Sequence, residues 1–188
     1  MGADIGEPKH ELTFAGAVRF IREEDVIRLQ PILETWIRDR ITHELLSDEV
    51  TGLMGSMRDS INGINDRIYL VAEGLDGQLA GVVGFKNPDE TMRAFAETEN
   101  PAELVNAYVA HDQRNGRGVG SALVRSLEKE AIRRGYTEII LNSGPRYKET
   151  GWGFYDKQPG YKRVGIAEQM YGVNGDAPVW NKVLSKTS

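Results

Sequence analysis

Glu103-Leu104-Val105-Asn106-Ala107-Tyr108-Val109-Ala110-His111-Asp112-Gln113-Arg114-Asn115-Gly116-Arg117-Gly118-Val119-Gly120-Ser121 is the stretch from which the rest of the chain can be read. Glu103–Val109 has the composition of a strand. Gly116, Gly118 and Gly120 punctuate a turn. A helix is expected from about residue 118 to 134, with Val119, Ala122, Leu123, Leu127 and Ala131 as its apolar stripe, Arg133 and Arg134 at its negative end and Gly135 as its C-cap. The first turn of a helix leaves backbone N–H groups without intrahelical partners, and the positive end of the helix dipole lies there, so such a terminus favours phosphate. Glycines let the backbone approach a ligand with no Cβ in the way. Arg114 and Arg117 add positive charge beside the same place. The physical expectation is a pyrophosphate ligand. The dinucleotide fingerprint does not fit, because the third glycine position after Gly116 and Gly118 is Ser121 and after Gly118 and Gly120 is Leu123; the Gly-Lys-Ser/Thr of a nucleotide P-loop is also missing.

Working outward, Ala17–Ile21 reads as a first strand, followed by Glu23, Glu24 and Asp25 at a helix start. Val26, Leu29, Leu33, Trp36 and Ile37 form a helical stripe to about Arg40, which places Trp36 in the core. A second helix is expected over 46–62. Ile68–Ala72 and Leu79–Phe85 are strands joined by Gly74-Leu75-Asp76-Gly77, a hairpin signal. Residues 87–101 form a long connection broken by Asn87-Pro88 and Asn100-Pro101. Glu138–Leu141 is a fifth strand, 146–157 a short helix, and Tyr161–Val164 and Val179–Leu184 are closing strands. Consecutive strands inside this order argue for an α/β (α+β) mixed sheet, not a repeating barrel.

The chain has 188 residues, 40% of them hydrophobic, and a formal net charge of −5. That length suits one domain, read as residues 16–186 after a flexible leader over 1–15. Basic residues are interspersed with acids, so no basic face for nucleic acid is expected, and the negative balance mildly favours cationic acceptors. No apolar run is long enough for a membrane span. The absence of cysteine removes disulfides and thiolate chemistry, and the expected address is the cytoplasm. His10, His43 and His111 have no metal-ligand spacing, so no metal is expected. Ser143 is read as a turn residue and not a hydrolase elbow.

The strand Glu103–Val109 followed by Asn115-Gly116-Arg117-Gly118-Val119-Gly120 resembles motif A of the GNAT superfamily of N-acetyltransferases. Asn142 and then Phe154-Tyr155-Asp156-Lys157 and Gly160-Tyr161 resemble its motif B. Two departures stand out: Asn115 occupies a position usually Arg or Gln, and Pro159 interrupts the second motif, where the last helix is expected to end early. The resemblance covers about 17–185. It implies a mixed, mostly antiparallel central sheet of about six to seven strands flanked by helices and splayed between the fourth and fifth strands.

The resemblance also implies a function: transfer of the acetyl group of acetyl-CoA to a primary amine of a small molecule or peptide by direct attack. A non-catalytic acyl-CoA-binding or regulatory module on the same fold is the alternative. Acetyl-CoA would be held by Ala107, Tyr108 and Val109 of the strand, by Arg114, Asn115, Gly116, Arg117, Gly118, Val119, Gly120 and Ser121 of the turn and helix start, and by Asn142. The Val109 N–H matches the donor to the thioester carbonyl. Glu103 matches a general base, often acting through water, and Tyr155 the general acid that protonates the departing sulfur. Each has a plainer reading: a solvated strand-end acid for Glu103, a core aromatic for Tyr155 and a turn residue for Asn142. Arg146 and Tyr147 belong either to the acceptor pocket or to a surface loop. The acceptor is expected among the first two helices and the 87–101 loop, and the last strand is an edge that could pair in a homodimer.

Overall fold

The structure is a computed structural model that describes residues 13–113 and 117–185. Seven strands form one sheet: β1 (Ala17–Phe20), β2 (Ile68–Glu73), β3 (Leu79–Lys86), β4 (Pro101–Val109), β5 (Glu138–Asn142), β6 (Lys162–Ala167) and β7 (Ala177–Val183), in the order β1-β2-β3-β4-β5-β7-β6. Every neighbouring pair is antiparallel except β4 and β5. The mixed, mostly antiparallel sheet expected from the sequence is therefore present.

Alternation along the strands sorts side chains to the two faces. Leu70, Val83, Phe85, Leu104, Ile139 and Leu141 pack under α4 (Val119–Arg133). Tyr69, Val71 and Val82 pack on the other face under α1 (Glu23–Trp36) and α2 (Ser47–Ile61). Phe14, inside the segment read as a leader, packs against the α4 side. The expected caps are in place, with Gly77 at φ 76 in the β2–β3 turn and Gly135 at φ 90 after α4.

Several boundaries differ from the sequence reading. Helix α1 stops at Trp36 instead of running to Arg40, because the Asp39 carboxylate accepts hydrogen bonds from Ile41 N at 2.7 Å and Thr42 N at 2.8 Å and turns the chain. The 87–101 connection contains α3 (Glu90–Arg93), capped by Asp89, whose side chain accepts from Met92 N. Strand β4 begins at Pro101, two residues before Glu103. The region 146–157 is not one helix but a 3₁₀ turn (Pro145–Tyr147), a π-helical turn (Lys148–Trp152) and α5 (Gly153–Tyr155), which does end before Pro159. Finally, β7 lies between β5 and β6, so the last strand is not an edge; β1 and β6 are.

Two features of the sheet shape the site. Strands β4 and β5 pair only at Pro101–Glu138, Ala102–Ile139 and Glu103–Ile140, and then run on to Val109 and Asn142 without pairing. In addition, β4 carries one extra residue against β3, since Gly84 faces Val105 whereas Val82 faces Tyr108. This bulge puts Asn106 at φ 53, and the Asn106 amide oxygen accepts from Tyr69 Oη at 3.1 Å. Gly84 makes room for that reach across β3: a Cβ there would lie 2.6 Å from the Tyr69 ring. Gly84→Ala is expected to displace Tyr69 and cost about 1–3 kcal/mol, seen as a lower Tm in thermal denaturation; an unchanged Tm would contradict this account of the bulge.

Candidate active site

The gap between β4 and β5 opens into a cleft of about 1300 Å³ that extends to the first turn of α4 on one side and to α1 and α2 on the other. Glu103, Ala107, Tyr108, Val109, Arg117, Gly118, Val119, Gly120, Ser121, Asn142 and Tyr155 all line it. Arg114, Asn115 and Gly116 lie outside the described residues. Residues nominated from separate stretches of sequence thus meet at one place.

The walls of the gap are backbone. Ala110 N donates to Ala80 O at 2.8 Å, so Ala110 faces β3. Successive residues of a strand turn their polar groups to opposite sides, and the N–H and C=O of Val109 therefore point away from β3, into the gap. Trp36 Nε1 donates to Val109 O at 2.8 Å from that open side. Across the gap, Ser143 N donates to Pro178 O at 3.3 Å on β7, which leaves the Asn142 N–H and C=O directed toward β4. Two facing strand edges thus turn backbone groups toward an extended ligand laid between them, with the Val109 C=O already engaged by Trp36.

At the mouth of the gap, Gly118, whose φ of 73 is left-handed, leads into α4, with no side-chain cap among the described residues and no acid in its first turn. A Cβ on Gly120 would lie 3.0 Å from two Phe154 ring carbons, so the first turn sits close against α5. Ser121 Oγ accepts from Gln158 Nε2 at 3.2 Å. Arg117 is exposed and lines the same end, with no ion pair among the described residues. The local charge is positive where a side-chain cap or an acid would ordinarily sit.

Glu103 is at the vertex where the strands part, and only 4% exposed. Lys86, its cross-strand neighbour on β3, holds Nζ 3.0 Å from Glu103 Oε2 without the alignment of a hydrogen bond, and that oxygen has no hydrogen-bond donor among the described residues. Burial pushes the Glu103 carboxyl above the ordinary carboxylate range, and Lys86 opposes the shift. Glu103 is therefore not a solvated strand-end acid. Tyr155 is 7% exposed, with its ring against Phe154 and Trp180; burial raises its hydroxyl pKa, and it keeps its proton through the neutral range.

The side chain of Asn142 is already engaged: its Oδ1 accepts from Tyr171 Oη at 2.7 Å and its Nδ2 lies 3.3 Å from Met92 Sδ. Its contribution to the gap is the backbone. Burial raises the Tyr171 hydroxyl to about 12. Tyr171 comes from the β6–β7 connection, a segment with no sequence signal for the site. Trp36 is half-buried: it packs against the α1–α2 core as expected but also forms the cleft wall, edge-on to Tyr147 with ring centroids 6.5 Å apart. Tyr147 in turn meets Tyr108, the two hydroxyls 3.3 Å apart. Arg146 pairs with Glu49 of α2 at 2.9 and 3.0 Å, and Arg146 and Tyr147 wall the α1–α2 side of the cleft. No cluster of metal-ligating side chains occurs among the described residues, and no described helix is long and apolar enough to cross a membrane.

No curated protein matches the sequence. Solved structures share the fold at low identity. A GNAT-family protein from Desulfovibrio desulfuricans is 16% identical over 91% of this chain and 100% of its own, with a TM-score of 0.71. An aminoglycoside 6'-acetyltransferase type Ii is 21% identical over 92% and 99%, with a TM-score of 0.67. An N-acetyltransferase from Thermoplasma acidophilum, solved in complex with coenzyme A, is 20% identical over 89% and 98%, with a TM-score of 0.62. Residues 38–161, which include β4, the glycine turn, α4, β5 and α5, match the acetyltransferase (GNAT) family, and the chain belongs to that family.

Proposed function

We propose that the protein is an N-acetyltransferase that moves the acetyl group of acetyl-CoA to a primary amine of a small molecule or peptide. The observation that carries this reading is the unpaired β4–β5 gap, lined by the backbone of Val109 and Asn142 and ending at the uncapped N-terminus of α4. A chain of amides followed by a pyrophosphate, as in acetyl-CoA, is complementary to that sequence of groups: strand edges for the amides, helix N–H groups and Arg117 for the phosphates. Membership of the family supports the same reading. A cytoplasmic location belongs to the same proposal, in keeping with a chain without cysteine that acts on a cytosolic co-substrate.

In this reading the amine nitrogen attacks the thioester carbonyl carbon, the C–N bond forms and the C–S bond breaks. The Val109 N–H stabilises the negative charge that develops on the carbonyl oxygen. An alkyl ammonium has a pKa of roughly 10 and must lose a proton to attack. Glu103, buried and held beside Lys86, takes that proton directly or through a water. Tyr155, protonated and buried at the cleft, delivers a proton to the departing sulfur and regains one from the second proton that the nitrogen sheds as the amide forms.

The test is release of free CoA thiol from acetyl-CoA on addition of primary amines, with the N-acetyl product identified by mass spectrometry. Amine-dependent release and an amide product are expected. Tight acetyl-CoA binding with no amine-dependent release would favour a non-catalytic acyl-CoA-binding module.

A further inference from the structure

We infer that the amine acceptor carries a carboxylate and that Arg67 binds it, so that the substrate class is free amino acids. This rests on the acetyl-transfer reading of the same cleft. Ile68 on β2 faces Phe85 on β3, so Arg67, one residue before Ile68, is opposite Lys86, which itself faces Glu103 on β4. Tyr69 and Val82 point toward α1 and α2, and Phe85 and Leu104 toward α4. By alternation, Arg67, Lys86 and Glu103 form one row across three strands on the α1–α2 side, and all three line the cleft.

That row holds two cations and one carboxylate. Like charges placed opposite each other on neighbouring strands repel; Glu103 pairs directly with Lys86, at 3.0 Å, and acts on Arg67 only through space. Among the described residues, none of the nearby acids contacts the Arg67 guanidinium: Glu49 pairs with Arg146, Asp89 accepts from Met92 N and Asp66 from Asn87 N. Arg67 is half-buried and has five N–H donors. Its side chain makes one long hydrogen bond, 3.4 Å from Nη1 to the neutral amide oxygen of Asn106, and no ion pair among the described residues. The bulge that turns Asn106 puts its amide oxygen within reach of this guanidinium, and both residues line the cleft.

A planar fork of donors with no carboxylate partner is suited to bidentate binding of one. Neighbouring strands are about 4.8 Å apart, so Arg67 and Glu103 stand two strand spacings from each other. Both side chains line the same cleft, so a molecule that bears both an amine and a carboxylate can lie between the guanidinium and the base. The overall negative charge of the chain gives no hint of this local preference for an anionic group.

The experiment uses the native chain, acetyl-CoA, the proteinogenic and ω-amino acids, and the matching amines that lack the carboxylate. At least one amino acid is expected to be acetylated with kcat/KM at least about tenfold above its decarboxylated counterpart. In Arg67→Met its KM should rise about tenfold or more with kcat little changed, while Arg67→Lys recovers part of the loss. Acetyl-CoA affinity, measured by calorimetry on the same preparations, should not move. Failure of every amino acid, or equal turnover of the decarboxylated amines, overturns the inference even if acetyl-CoA binds. Loss of acetyl-CoA binding by the native chain would instead sink the acetyl-transfer reading itself. If Arg67→Met does not fold, the amino-acid against amine comparison on the native chain still decides.

Discussion

Replacing Tyr155 with phenylalanine is expected to lower kcat by about 100-fold or more, the range of a lost general acid, while leaving acetyl-CoA affinity nearly unchanged. The substitution removes one oxygen and keeps the ring that packs against Phe154 and Trp180. Folding should therefore be preserved, and the effect should appear in turnover and not in binding. A tyrosine whose pKa is raised by burial is a poor anion but a reliable proton store, present in the protonated form at every pH where the enzyme would work. Steady-state kinetics with calorimetric binding in parallel check the prediction. An unchanged kcat would return Tyr155 to the role of a core aromatic.

The second large effect is expected at Glu103. Glu103→Gln should lower kcat/KM by about 100-fold, because an amide of the same shape cannot accept the amine's proton. The pH dependence carries a sign. A base works in its ionised form, and burial raises the Glu103 pKa above the ordinary 4.5, so activity should rise with pH through that raised value and be lost as pH falls through it. Lys86, at 3.0 Å from Oε2, is the main group that opposes the shift, with a smaller contribution from Arg67. Lys86→Met should therefore move the acid limb of the profile to higher pH. A profile unaffected by Lys86→Met, or a Glu103→Gln variant with native kcat/KM, would show that another group or bulk water takes the proton.

Much of this site was legible because its parts are local in sequence. The strand, the glycines and the helix stripe from Val119 to Ala131 are contiguous, and backbone geometry alone links them to a phosphate-binding terminus. Tyr155 and Asn142 were reached only through resemblance to a family, since neither has a spacing that compels its position. The rest depends on register. That Lys86 faces Glu103, and Arg67 faces Lys86, follows from the pairing of β2, β3 and β4 and from the bulge at Asn106, none of which a single sequence states. Trp36 follows the helical period and so reads as core, yet α1 ends there, and its indole turns to the Val109 carbonyl. Tyr171 sits in a Gly-rich connection with the composition of an ordinary turn, and only its contact with Asn142 brings it to the cleft.

Central to the proposed function is acetyl-CoA lying between β4 and β5 with its pyrophosphate at the start of α4. Calorimetric titration of acetyl-CoA into the native chain, and into a Gly120→Trp variant shown by circular dichroism to be folded, tests this directly. Micromolar binding by the native chain, roughly −8 kcal/mol, and its loss in the folded variant are predicted. Absence of binding by the native chain, or equal binding by the variant, would contradict it.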